Sequence, residues 1–298
     1  MPRILIAGCG YIGQVTAALF HEAGWDVEGW TASPESAGKL SEKPYPVSAV
    51  DISQLDHVAA RAADFDSIIH CASSGGGGPD AYCAIYREGA RNLLEVFAST
   101  TLLFTSSTSV YAQSDGSWVT EASPAEPIRE AGRILRETEE LVLGQGGIVA
   151  RLAGIYGPGR CFLLEKFLAG EALIDREQDR FINQAHRDDI AAALFLLIIR
   201  KHEGPAHAHN SKPEIYNVVD DQPILQSECY EWLAAFLSHP LPPSGRSARE
   251  RKRGNSNKRV SNAKLRAQGW NPRYPTFQDA MEKSILPSMS GGDGLTRK

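Results

Sequence analysis

Ile4-Leu5-Ile6-Ala7-Gly8-Cys9-Gly10-Tyr11-Ile12-Gly13, close to the start of a 298-residue chain, decides the fold. The apolar run Ile4–Ala7 reads as a strand, the glycines follow at once, and the stretch from about Tyr11 to Ala23 reads as a helix. In that setting the G-x-G-x-x-G spacing has a mechanical meaning. Gly8 permits the tight turn, Gly10 lets the backbone approach a pyrophosphate, and Gly13 lets the helix close on the strand. The helix start adds N–H groups and the positive end of a dipole. Gly8, Gly10, Tyr11, Ile12 and Gly13 are therefore candidate contacts to a dinucleotide. The bland alternative is a glycine-rich turn without a ligand, and the strand–turn–helix context favours the dinucleotide.

Working outward, strands and helices alternate. Strands are expected at Trp25–Trp30, Val47–Val50, Ser67–His70, Leu102–Thr105 and Gly147–Leu152, with helices near Ala81–Phe97 and Ala131–Leu143. Strict alternation implies parallel pairing with helices on both faces, an α/β doubly wound sheet of the Rossmann type. This gives a dinucleotide-binding domain over 1–155. From 156 to 287 the regularity breaks down. Helices near Phe162–Leu168, Arg187–Arg200 and Gln226–Ser238 are separated by short extended pieces such as Ile215–Val218. The expectation is a smaller, mixed substrate-binding cap, partly interleaved with the first domain. Residues 288–298 are small and polar and read as a disordered tail.

Composition excludes several classes. With 42% apolar and 22% charged residues the chain can build a core and a solvated surface. A net charge of −5 argues against general affinity for nucleic acid or anionic membrane. The basic run Arg246, Arg249, Arg251, Lys252 and Arg253 reads as a solvated loop rather than a nucleic-acid dock. The five cysteines are scattered without CxxC spacing, so neither a disulfide framework nor a zinc site is indicated. The longest apolar run, Ile190–Ile199, is too short to span a bilayer and reads as a buried helix. A cytoplasmic protein is expected, because the N-terminal apolar run is too short for a signal peptide.

The end of the second strand should choose between NAD and NADP. A carboxylate there would hold a ribose hydroxyl, and an arginine would accept a 2′-phosphate. The chain has Trp30-Thr31-Ala32-Ser33, with no carboxylate to repel a phosphate and two hydroxyls able to donate to one. NADP is the expectation, with NAD the alternative. Asp51 and Ile52, after the third strand, are placed to contact an adenine; an ordinary loop aspartate is the other reading.

Several further motifs occur in order: Ile68-Ile69-His70-Cys71-Ala72, Gly89-Ala90-Arg91-Asn92-Leu93-Leu94, Ser106-Ser107-Thr108-Ser109-Val110-Tyr111 and Arg151-Leu152-Ala153-Gly154-Ile155-Tyr156-Gly157-Pro158-Gly159-Arg160. With His186-Arg187-Asp188-Asp189 and Tyr216-Asn217-Val218-Val219-Asp220-Asp221, the chain from about Arg3 to Lys283 resembles the short-chain dehydrogenase/reductase superfamily. The likeness is to its extended, NAD-dependent epimerase/dehydratase branch, and within that to its atypical members. The resemblance implies a nicotinamide cofactor, with Ala72, Ser73 and Ser106 among its contacts, and a small polar substrate, often a nucleotide sugar, near Arg160, for which a surface arginine on a loop is the equal alternative. It also implies a homodimer through helices flanking the sheet.

The family's Tyr-x-x-x-Lys is missing. Pro127-Ile128-Arg129-Glu130-Ala131-Gly132-Arg133-Ile134-Leu135 puts Ala131 at the tyrosine and Leu135 at the lysine. Arg133 lies about 200° around the helix from each and points away. Three residues remain as catalytic candidates. Ser107 sits at the family's Ser/Thr position, and its hydroxyl can bond a substrate carbonyl. Tyr111 is the nearest phenol, though without a cation its pKa stays near about 10. His186 titrates in the useful range. Strand-end bonding, cleft packing and helix capping are the respective structural readings. His70 reads as structural, and His202, His207 and His209 have no metal-ligand companions. The function expected is an NAD(P)-dependent oxidoreductase, epimerase or dehydratase, with a non-catalytic NAD(P)-binding sensor as the alternative.

Overall fold

The structure, a computed structural model, describes residues 1–203, 214–245 and 256–290. The chain divides into two units that are each discontinuous in sequence.

Met1–Val110, Pro124–Leu152 and Ile190–Tyr216 form the first unit. Its centre is a seven-stranded sheet. In spatial order the strands are Glu214–Val218, Ile148–Leu152, Thr101–Ser107, Ser67–His70, Arg3–Ala7, Asp26–Thr31 and Val47–Ala49. The pairings across the first strand are parallel, Ile4 beside Val27 on one side and Ser67 on the other. Ile4, Leu5, Ile6 and Ala7 are all fully buried, because a central parallel strand is covered on both faces. The chain order reverses at this strand, which places a ligand crevice at its carboxyl end, where Gly8 begins.

Two expectations need correction. Ile215–Val218 is not a separate piece of a cap: the strand Glu214–Val218 forms the edge of the main sheet beside Ile148–Leu152, and the second unit takes up the chain again at Asn217. The helix Arg187–Glu203 likewise leaves the cap from Ile190 onward. Phe195 packs on Phe20 with ring centres 4.8 Å apart, and His202 on Trp25 at 5.0 Å. A helix apolar on most of its sides must be covered, and in this unit Phe20 and Trp25 supply part of that cover. The helix expected near Ala81–Phe97 is interrupted: Pro79–Tyr82 is followed by a π-helical stretch, Cys83–Glu88, and then Gly89–Val96.

Tyr111–Ser123, Ala153–Asp189 and Asn217–Lys298 form the second unit. Its core joins the helices Phe162–Leu168 and Gln226–Leu237 to the C-terminal helical segment through Leu164, Phe167, Tyr230, Leu233, Phe277 and Met281. Short two-stranded pairs frame this core, among them Gly154–Tyr156 with Gln184–His186. Asp189 ties in the loop ahead of the last helices. Its carboxylate accepts from Arg273 N at 2.5 Å and Tyr274 N at 3.0 Å, and its carbonyl accepts from Trp270 Nε1 at 3.1 Å. The stretch expected as a tail starts helical, since Leu286–Ser290 is a helix. Residues 291–298, His207, His209 and the basic run 246–253 lie outside the described residues.

Candidate functional site

The glycines of the first loop differ in what constrains them. Gly8 has φ +110°, and a Cβ there would lie 2.2 Å from Ala72 N. At Gly13 a Cβ would lie 2.2 Å from Gly8 O. Both are fixed by the protein's own packing. At Gly10 a Cβ would meet nothing within 4 Å. Among the described residues nothing fills that space, which leaves the backbone there open to a ligand. The loop is held open for one: Gly8 N and Cys9 N donate to Trp30 O at 3.1 and 2.7 Å, and Gly10 N donates to Gly8 O at 2.7 Å. An α-helix also leaves its first N–H groups without intrahelical acceptors, so this turn suits a pyrophosphate. The residues present therefore fit a dinucleotide. Cys71 Sγ donates to Gly8 O at 3.2 Å, and burial raises the Cys71 thiol and takes Cys9 up to about 11, so both act as packing groups.

Around this loop the same sheet end gathers the other expected contacts. Asp51 Oδ1 accepts from Ser53 N and Oγ at 3.0 and 2.7 Å, shaping the loop after the third strand. Buried Asn92 pins that loop by donating from Nδ2 to Ile52 O at 2.9 Å. The sequence reading passed over Asn92 as a positioning residue; its signal was the Asn92-Leu93-Leu94 match. Ser73 Oγ accepts from Gly75 N at 3.3 Å.

The end of the second strand differs from expectation. Thr31 Oγ1 donates to Ser33 O at 3.3 Å, while Ser33 caps the helix Pro34–Gly38 by accepting from Ser36 N at 3.2 Å and donates to Ser36 Oγ at 3.0 Å. Both hydroxyl protons thus have internal acceptors, which corrects the idea that they stand ready for a phosphate. Ser36, missed in the sequence, is the next hydroxyl along. Glu28 is engaged elsewhere, accepting from Trp30 Nε1 at 2.8 Å and Arg3 Nη2 at 3.2 Å.

Ser106 also needs correction. Its Oγ donates to buried Glu139 Oε1 at 2.6 Å, so its side chain serves an internal network and not a ligand. Ser107 is half-buried, and its Oγ accepts from Ser109 N at 3.1 Å, leaving the hydroxyl proton without an acceptor among the described residues. On the helix Glu130–Gly144, Ala131 is half-buried, Leu135 buried and Arg133 exposed.

His70 behaves as a structural group. It is fully buried, and its Nε2 donates to Ile85 O at 3.1 Å, inside the π-helical stretch. Burial drives its pKa down to about 4. The folded state therefore resists protonation that the unfolded chain accepts near pH 6.5. Stability is full above that pH and is lost as pH falls toward about 4, by on the order of 3 kcal/mol for this group. Replacing His70 with Gln should flatten the fall in urea-unfolding free energy between pH 6.5 and 4.5; an unchanged slope would contradict the assignment.

Tyr111 and His186 lie in the second unit, and the structure corrects both. Tyr111 is buried and donates its hydroxyl to Asn217 Oδ1 at 2.9 Å. His186 is fully buried, with Nε2 3.0 Å from Ser284 Oγ and Nδ1 accepting from Asp188 N at 3.2 Å. Burial takes its pKa to about 4. Both side chains are engaged as structural groups, which removes them as acids. Arg160, also in this unit, is exposed at the end of a tight turn in which Gly157 and Arg160 exchange backbone hydrogen bonds at 3.0 Å.

Parallel sheet, topological switch and a glycine turn shaped for a ligand define a doubly wound protein of the dinucleotide-binding class. Residues 4–218 match the model of the NAD dependent epimerase/dehydratase family, and the chain belongs to that family. It is 29% identical over 265 residues to Protein YeeZ of Escherichia coli (strain K12), covering 85% of this chain and 90% of that protein. A structure from Methylobacillus flagellatus, provisionally described as an NAD-dependent epimerase/dehydratase, superimposes with a TM-score of 0.79 at 27% identity, over 97% of this chain and 99% of that one. UDP-glucose 4-epimerase from Thermotoga maritima, solved with UDP-glucose, shares the fold with a TM-score of 0.80 at 16% identity, over 98% and 100% of the two chains. No helix among the described residues is long and apolar enough to cross a membrane.

Proposed function

We propose that this chain is an NAD(P)-dependent enzyme of the oxidoreductase, epimerase or dehydratase type, acting on a small polar substrate without the usual Tyr-Lys pair. The observation that carries the reading is the strand–glycine turn–helix from Ile4 to Gly13, in which a Cβ at Gly10 would point into open space where a pyrophosphate would lie on the backbone. Gly8–Gly13 would hold the pyrophosphate, Asp51 and Ile52 the adenine side, and the Ala72–Ser73 turn and Ser107 the other end. When bound, the nicotinamide supplies a hydride donor or acceptor. Ser107, with a hydroxyl proton to give, would orient a substrate carbonyl or hydroxyl. Arg160 would meet an anionic substrate group, since a guanidinium suits phosphate geometry; nucleotide sugars are the class suggested by the epimerase likeness. A homodimer through the Glu130–Gly144 helix would have a polar interface, because Arg133, Glu137 and Glu140 are exposed on it.

NADP is favoured over NAD because no carboxylate ends the Asp26–Thr31 strand and Glu28 is tied to Trp30 and Arg3. Titration calorimetry with NADP⁺, NADPH, NAD⁺ and NADH tests both points. The expected result is tightest binding of a 2′-phosphorylated form, with Ser33→Asp weakening NADP at least tenfold relative to NAD. Failure of all four to bind would end the cofactor reading.

A second reading, a non-catalytic dinucleotide sensor, draws on Ala131 and Leu135 together with the internal partners of Tyr111 and His186. A dinucleotide that binds but supports no turnover across hydroxyl and carbonyl substrates, with Ser107→Ala leaving its affinity unchanged, would favour it.

A further inference from the structure

In the second unit, three side chains that neighbour one another each place a polar atom in the interior with no hydrogen-bond partner among the described residues. They are the Tyr156 hydroxyl, Asp220 Oδ1 and Gln184 Oε1, on residues 1%, 4% and 8% exposed. The backbone brings them together. Gln184–His186 pairs in parallel with Gly154–Tyr156, Gln184 beside Gly154 and His186 beside Tyr156, so the side chains of 184 and 156 stand on one face. Asp220 N donates to Gln184 O at 2.7 Å, which seats Asp220 against the same strand. Burial raises the Tyr156 phenol, and among the charged groups around it Asp220 acts most strongly. The titratable groups acting on Asp220 and Tyr156 are acids and thiols: Asp189, Asp221, Cys161 and Cys229.

Gln184 Oε1 can only accept, the Tyr156 hydroxyl can donate, and Asp220, whose carboxyl burial raises well above its ordinary value, can offer an acceptor or a donor. Left unpaired, each buried group costs about 1–3 kcal/mol. We propose that Tyr156, Asp220 and Gln184 form an internal site for one water molecule. It accepts from the Tyr156 hydroxyl and donates to Gln184 Oε1 and Asp220 Oδ1. That set of three hydrogen bonds is typical of buried waters. The site joins the Ala153–Asp189 and Asn217–Asp221 segments of the unit, both of which enter it directly from strands of the main sheet. The inference does not depend on the cofactor reading.

Tyr156→Phe is the informative substitution, because it keeps the ring and removes only the hydroxyl. If the water is present, the variant loses a satisfied hydrogen bond and its unfolding midpoint falls by about 2–4 °C. The same change in an Asp220→Ala background then costs much less. If the hydroxyl is an orphan, removing it leaves the midpoint unchanged or raises it, and the proposal fails. A high-resolution crystal structure of the full chain should show a density peak within hydrogen-bonding distance of all three atoms. No peak would overturn the proposal. A midpoint that rises with potassium or ammonium over choline at equal ionic strength would also overturn it, by identifying the occupant as a cation.

Discussion

Glu139→Ala should lower the unfolding free energy by about 3–5 kcal/mol. Glu139 is fully buried on the helix Glu130–Gly144, and Arg151, 2% exposed, faces it from the strand Ile148–Leu152. The guanidinium binds in a forked arrangement, Nε to Oε1 at 3.0 Å and Nη2 to Oε2 at 2.6 Å. Arg136 Nη1 adds a contact to Oε2 at 2.5 Å, and Ser106 Oγ one to Oε1 at 2.6 Å. Both carboxylate oxygens are saturated, which is the condition under which a buried ion pair offsets its desolvation. Truncation strands the Arg151 guanidinium inside the sheet layer without its counter-charge. Glu139→Gln, which keeps the shape, should cost less. Urea titration reads both, and a loss under about 1 kcal/mol for the alanine variant would show the pair to be dispensable.

Gly10→Val should leave stability nearly unchanged and weaken dinucleotide binding at least about a hundredfold, since the new side chain would occupy the ligand's place. Gly13→Ala should do the reverse first: its Cβ would sit 2.2 Å from Gly8 O, and the backbone must shift to relieve the overlap. A destabilisation of about 1–3 kcal/mol is expected there, with any affinity loss following from the distorted loop. The contrast is the test. Equal stability losses in the two variants, or full cofactor affinity in Gly10→Val, would refute the assignment of Gly10 to a ligand.

The two expectations rest on residues of different legibility. The G-x-G-x-x-G spacing was readable because turn geometry and phosphate approach both act through backbone, and glycine is the only residue type that serves them. The distinction between Gly10 and its two companions was not, since it depends on what each Cβ would meet. Glu139 was readable only as one acid in the run Glu137-Thr138-Glu139-Glu140. Its pairing with Arg151 and Ser106 brings together a helix and two strands.

The candidate acids show the same limit. Ser107, Tyr111 and His186 were chosen by residue type and motif position, and type says nothing about partners. The fold left the Ser107 hydroxyl proton without an acceptor among the described residues, gave the Tyr111 hydroxyl to Asn217 and seated His186 between Ser284 and Asp188 N. Thr31 and Ser33 were placed correctly at the end of their strand, yet their hydroxyls went to each other's neighbourhood and to the helix start at Ser36.

By itself the sequence determined the doubly wound sheet and the glycine turn, because apolar periodicity and glycine spacing are local properties. The tertiary structure alone decided that Glu214–Val218 completes the main sheet, that the Ile190–Ile199 run packs within the first unit against Phe20, and which polar side chains are engaged internally. Those outcomes depend on which distant surfaces and partners meet, and desolvation then fixes each buried group to the partner that the fold provides.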